Sequence, residues 1–156
     1  MNVINDYQII PEGESFSPSL EVVGCFIEYE SKVLYILRNP AISQGNKWGI
    51  PAGKLEKNEA LIAGCIREVW EEVGVALNAE NVQYVNKLQM RKLDTDYIFH
   101  IFFTQFLNKP SINLCINECI DAQWLTIEEI SQLPLISGAP SILLIYQSWR
   151  KTLSNQ

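Results

Sequence analysis

The sequence holds a single histidine, His100, and its four cysteines, Cys25, Cys65, Cys115 and Cys119, form no CxxC pair. Zinc ligation is therefore not expected, and the thiols are expected to be reduced and mostly buried. Lys/Arg runs are missing too, and with 12 Lys+Arg against 18 Asp+Glu the formal net charge is −6. A chain of that sign offers no electrostatic footprint for duplex nucleic acid or an anionic membrane surface, so neither is expected as a partner. No apolar run approaches the roughly 18 residues of a membrane span. The start, MNVINDYQII, lacks the basic stretch of a signal peptide, so a cytoplasmic protein is expected. Repeats and low-complexity segments are also absent. The length of 156 residues suits one domain, residues 1–156, whose core needs no disulfide staples.

What is present is an acidic helix. Residues 61–73 contain no Pro and one Gly, and Ile62, Ile66, Val69 and Val73 recur at three- and four-residue steps. At about 100° per residue these four form one stripe that faces a core, and Gly74 is a natural stop. Glu68, Glu71 and Glu72, at i, i+3 and i+4, share a different face. Their repulsion costs roughly 0.2–0.5 kcal/mol per exposed pair and more where the dielectric is low. A divalent cation reverses that sign, and oxygen-only ligands suit Mg²⁺ or Mn²⁺, completed by substrate phosphates. Gly64, one turn before Glu68, is expected to let an ion or phosphate come close. A merely solvated face is the alternative, but such faces interleave Lys with Glu, and Arg67 is the only cation between Lys57 and Lys87. Arg67 is expected to pair with Glu71 or reach back to Glu59, bracing the cluster.

Residues 1–18, with Pro11, Gly13 and Pro18, read as an extended arm or edge strand. Residues 20–29 read as a buried strand, turned by Glu30-Ser31 into residues 32–38. Residues 82–92 and 97–107 read as two more strands around a turn at Asp94-Thr95-Asp96. His100 is read as a packed or hydrogen-bonded strand histidine and kept out of the site. Thr126 caps a short helix whose first turn holds Glu128 and Glu129. In residues 140–153, Ile142, Ile145, Tyr146, Trp149 and Leu153 recur at helical spacing. Two helices on opposite sides of a mixed sheet make an α/β protein, an α/β/α sandwich.

Residues 53–75 carry Gly53, Glu59, Arg67, Glu68, Val69, Glu71, Glu72, Gly74 and Val75. These fill every position of the Nudix box, G-x5-E-x7-R-E-U-x-E-E-x-G-U, with U a bulky apolar residue. Seven identities at fixed spacing arise by chance on the order of 10⁻⁹ per start position. The chain thus resembles a Nudix hydrolase. The resemblance implies a Nudix-type α/β/α sandwich with a mixed β-sheet between helices. It also implies Mg²⁺- or Mn²⁺-dependent cleavage of a phosphoanhydride bond in a nucleoside diphosphate linked to a further moiety.

The family uses a turn carbonyl as a metal ligand, which falls here on Ala52. Ala stands where the family usually has Gly, a change that costs nothing if φ is negative. The expected ligands are therefore Glu68, Glu71, Glu72 and Ala52. Many Nudix proteins place a further carboxylate before a strand ending in Trp or a similar residue, and Glu118, six residues before Trp124, fits that place. An ordinary loop acid is the alternative. Glu68 or Glu118 is the candidate base, with Arg67 and Glu59 in support. Trp48, before the turn, is read both as core and as pocket wall, and is carried as a substrate-contacting candidate. Lys54, Arg38 and Lys47 are candidate phosphate contacts or plain surface cations.

Residues 77–107 contain no Pro, and no coenzyme A motif precedes Gly53, so the family's NADH and coenzyme A signatures are missing. A nucleoside triphosphate, split to monophosphate and pyrophosphate, is the expected substrate. Hydrolysis of nucleotide sugars, ADP-ribose or dinucleoside polyphosphates is the first alternative. A non-catalytic nucleotide-sensing module is the second, disfavoured because such modules usually lose box carboxylates. The expected partner is a small nucleotide, and a homodimer is compatible with the sequence.

Overall fold

The computed structural model describes residues 7–155; the first six residues of the expected arm lie outside them. The described part of the arm includes β1 (Tyr7–Ile9), which pairs antiparallel with β6 (Gln83–Lys92) at the edge of the sheet. At the centre is β2 (Leu20–Tyr29), paired in parallel along its whole length with β7 (Thr95–Phe106), while β6 continues the sheet beyond β7. On its other side β2 divides its pairing. Near its end, Glu28 and Tyr29 meet β3 (Lys32–Arg38); near its start, Val22, Val23 and Gly24 meet β5 (Ala52–Lys54). β3 then leaves β2 and pairs with β4 (Trp48–Gly49) and β8 (Cys119–Leu125). This parting of β3 from β5 opens the sheet where the site lies.

Side chains alternate across the sheet as strand geometry requires. Val23, Cys25 and Ile27 of β2 join Leu34 and Ile36 of β3 in a core covered by α1 (Leu61–Val73), through Cys65, Val69 and Val73. Ile62 and Ile66 complete that helical stripe, partly buried against the same core. Phe26, Val33 and Tyr35 face the other way, toward Ile142, Leu143 and Tyr146 of α3 (Ala139–Ser154). The expected sandwich is thus present, with each strand's alternate residues serving a different helix. A five-residue α2 (Ile127–Ser131) follows β8, and Thr126 caps it by accepting the Glu129 N–H, as its sequence suggested.

The β6–β7 turn differs from expectation. It consists of Leu93 and Asp94, and Thr95 already pairs with Lys92. Asp96, expected in the turn, is instead a buried strand residue that accepts from the Arg91 guanidinium and the Ser17 N–H, while Leu93 takes the left-handed φ of 53°. Cys25, Cys65, Cys115 and Cys119 are all unbridged. Among the described residues no helix is long and apolar enough to cross a membrane.

Candidate active site

The acidic face of α1 is organised by one cation. Arg67 donates from Nε and Nη2 to both oxygens of Glu59 (2.7 and 2.8 Å), and from Nη1 to Glu68 (2.8 Å) and Glu71 (3.1 Å). Nη2 also reaches the Lys54 carbonyl at 3.0 Å, tying the helix to β5. Both expected pairings form, and the contact with Glu68 is an addition that sequence reasoning missed. Arg67 holds the Glu59 carboxyl down at about 2, so Glu59 is a permanent anion that fixes the guanidinium. Gly64 is needed for this arrangement, since a Cβ there would stand 2.5 Å from Leu55 Cδ1 and 2.9 Å from Glu59 Oε1. Its role is thereby corrected: Leu55 and Glu59, not an ion or phosphate, approach it.

Gly53 has a similar reason. A Cβ on it would lie 2.0 Å from Glu68 Oε2, so the Glu68 carboxylate rests against bare backbone of β5. Glu72, only 4% exposed, accepts the Ala52 N–H at 2.9 Å. A strand residue's N–H and C=O share one edge, so the Ala52 carbonyl also lies on the edge facing α1. Ala52 has no positive φ, and its replacement of Gly carries no backbone strain. Gly74 ends the helix in the left-handed region at φ 67°. The carbonyls of Val73 and Glu72 then accept the N–H groups of Asn113 and Cys115 at 2.7 and 2.9 Å. This suspends the 113–118 loop from the helix end, and the Glu118 carbonyl accepts the Asn39 N–H from the end of β3.

The result is a cleft of about 950 Å³. Glu68, Glu72 and Glu118 line one part, with Ala52, Lys54 and Arg38 beside them. Burial pushes the Glu72 carboxyl well above its usual value, and the charges of Glu118 and Glu68 add to the effect against the Ala52 N–H and Arg38. Burial raises Glu68 as well, with Arg67 opposing. Glu71 is not in the cleft wall; its side chain is 53% exposed and turned to Arg67. Trp48, carried as a substrate contact, is corrected to core: it is 8% exposed, packs in the α3-side cluster and does not line the cleft. Lys47 is also outside the lining, whereas His100, bonded to Tyr84 and Glu21, is the strand histidine expected.

The rest of the wall was missed. Val22, Tyr35, Ile50, Met90, Tyr97 and Phe99 make an apolar floor, and Leu93 and Ile136 stand at its sides. These residues come from six separate stretches, and the only local signal was Gly24, where a Cβ would meet Phe99 Cζ at 2.6 Å.

Among the described residues no three Asp, Glu, His or Cys side chains converge as a ready metal cage, and Glu68 and Glu71 are both paired with Arg67. The donors available are oxygens alone, and Glu72, next to two like charges, has a single N–H as its hydrogen-bond partner. That donor set and that uncompensated charge fit a hard divalent cation.

A family model for the NUDIX domain matches residues 18–144. This chain belongs to the Nudix family. It is a pyrophosphohydrolase, a hydrolase acting on acid anhydrides, of a family that generally uses divalent metals such as Mg²⁺ or Mn²⁺. A MutT-like protein of Streptomyces ambofaciens is 30% identical over 124 residues, covering 76% of this chain and 73% of that protein. Phosphatase NudJ of Escherichia coli strain K12 is 29% identical over 118 residues, covering 75% of this chain and 74% of its own. In fold, the chain is similar to the NUDIX domain of Shewanella oneidensis NrtR, solved with ADP ribose. The TM-score is 0.71 at 17% identity, over 85% of this chain and 89% of that one.

Proposed function

We propose that this Nudix hydrolase cleaves a free nucleoside triphosphate to monophosphate and pyrophosphate with Mg²⁺ or Mn²⁺. The observation that carries the reading is the two-part cleft. Its acidic part, with Lys54 and Arg38 at hand, suits a polyphosphate bridged by metal; its apolar part, with Tyr97 and Phe99, suits a base.

Glu72, Glu68 and the Ala52 carbonyl are assigned to hold the metal, with Glu71 released to it only if Arg67 yields. A bound ion supplies neutralisation of the phosphate charge and polarisation of the attacking water. Arg67, anchored by Glu59, keeps Glu68 pressed against Gly53. Glu118 makes no hydrogen bond among the described side chains that would occupy its carboxylate, so it is assigned the proton of the water. Lys54 and Arg38 steady the phosphates.

A second reading is favoured by the size of the cleft. At about 950 Å³ it lies near the top of the range for small-molecule sites, roughly 300–1,000 Å³, leaving room for a second moiety as in ADP-ribose or a nucleotide sugar. The test is phosphate and pyrophosphate release from nucleoside triphosphates, nucleotide sugars, ADP-ribose and dinucleoside polyphosphates, with and without Mg²⁺. Metal-dependent turnover led by triphosphates is expected. Turnover led by ADP-ribose selects the second reading, and binding without turnover selects a sensor.

A further inference from the structure

The apolar part of the cleft contains a hydroxyl that the protein leaves alone. Tyr35, in the middle of β3, is 1% exposed, its ring belongs to the α3-side core, and it lines the cleft. Among the described residues its phenol has no hydrogen-bond partner. The fold treats its other deeply buried tyrosine differently: Tyr146, 3% exposed, donates to the Glu28 carboxylate. A buried Tyr O–H normally finds a partner. Tyr35 Oη is not among the described side-chain atoms that are both fully buried and unpaired, so it keeps contact with the cleft, where water meets it until a ligand takes its place.

The surroundings limit what that is. Gly24 leaves space on β2 that Phe99 and Ile50 fill, since a Cβ there would stand 2.6 Å from Phe99 Cζ and 3.1 Å from Ile50 Cδ1. Phe99, Ile50, Val22 and Met90 thus give the cleft an apolar floor. Sugar hydroxyls or phosphates laid on that floor would lose their hydration without repayment. A flat heteroaromatic ring loses little there and still presents a polar edge.

We infer that Tyr35 reads the nucleobase, its hydroxyl hydrogen-bonding a ring nitrogen or exocyclic group of a base that lies on the Phe99 side of the cleft. This rests on the hydrolase reading above only in taking a nucleotide as the ligand. Burial pushes the phenol above its usual value, which keeps it neutral and able to donate or accept.

Tyr35→Phe tests the assignment, because it removes the hydroxyl and retains the ring. The readouts are the melting temperature, kcat and KM for ATP, GTP, CTP and UTP, and direct binding of the four α,β-methylene triphosphates. The expected result is an unchanged or higher melting temperature and a loss of about 3–10-fold in affinity for the preferred base, the effect of one neutral hydrogen bond. The loss falls on KM rather than kcat, and the ranking of the four bases narrows. A triphosphate of a base analogue lacking the contacted group binds wild type more weakly but binds Tyr35→Phe as well as its parent does.

A wild type indifferent to the base, an unaltered ranking in the variant, or a clear fall in melting temperature overturns the inference. Because binding is read apart from turnover, the two readings separate. Silence in turnover with a narrowed binding ranking removes the triphosphate-hydrolysis reading and keeps Tyr35, whereas turnover with an unaltered ranking does the reverse. A wild type that binds none of the nucleotides removes both.

Discussion

Glu28 and Glu72 are buried almost equally, 5% and 4% exposed, and the protein treats them in opposite ways. Glu28, on β2, faces α3, where Arg150 grips both its oxygens at 3.0 and 2.7 Å and Tyr146 donates to it. Burial alone would raise its carboxyl, but those donors outweigh burial and leave it below the usual value. Arg150 also lies over the Phe103 ring, 5.0 Å from its centroid, and Tyr146 stacks on Phe26. Glu72, on α1, has one backbone N–H for a hydrogen bond and two negative neighbours, and it stands well above the usual value. One carboxylate is fully met by its own chain and pins a helix to the sheet. The other has been left short of positive charge in the cleft wall, which is the ground on which it is proposed as a metal ligand.

The sharpest way to break that contrast is Glu72→Gln. Turnover should fall by roughly 10²–10⁴-fold, as expected for removal of an acid from the reacting centre. The melting temperature should hold or rise, since like-charge repulsion is relieved. Steady-state kinetics with thermal melts checks both, and wild-type-like turnover would take Glu72 out of the site. Next in size is Arg67→Ala. It releases Glu59, Glu68 and Glu71 together and cuts the tie to the Lys54 carbonyl. A loss of about 10–100-fold in kcat/KM and about 1–2 kcal/mol of stability is expected for removal of a partly buried charge network. Loss of neither would end its bracing role.

The two carboxylates were not equally legible. Glu72 lies in a stretch whose fixed spacing announced it, and α1 runs over the 61–73 that apolar periodicity indicated. β2 and β3 likewise occupy residues 20–29 and 32–38, because continuous apolar runs and a two-residue turn specify both register and ends. Glu28 looked like any acid near a strand end. Its meaning depends on Arg150, 122 residues away, a pairing no local pattern encodes. The same limit hid the cleft floor, which Val22, Tyr35, Ile50, Met90 and Phe99 assemble from separate strands and loops. It misplaced Trp48, whose neighbourhood is set by β3 and residues 134–136 rather than by the turn that follows it. The β6–β7 turn moved because Asp96 is held inward by Arg91 and Ser17, the latter 79 residues distant.

Glu28→Gln should give the smaller response, confined to stability. It leaves Arg150 without its counter-charge, which for a fully buried pair costs about 3–5 kcal/mol. With the Arg150 side chain 30% exposed and partly solvated, about 2 kcal/mol is expected, or a fall of roughly 4–8 °C in melting temperature, with kcat and KM of the folded enzyme unchanged. Its pH dependence then tests whether charge is the cause. The folded carboxyl lies below the ordinary 4.5, so the unfolded chain takes up its proton first as the solution is acidified. The extra stability is therefore complete above the unfolded value and drains away as pH falls through the folded one. Urea titrations at pH 7, 5, 4 and 3 should show the gap between wild type and Glu28→Gln constant over the first two points and closing over the last two. A gap that persists undiminished to pH 3 would assign the pin to shape and neutral hydrogen bonding. Glu28 and Glu72 would then differ in their neighbours but not in how charge is compensated.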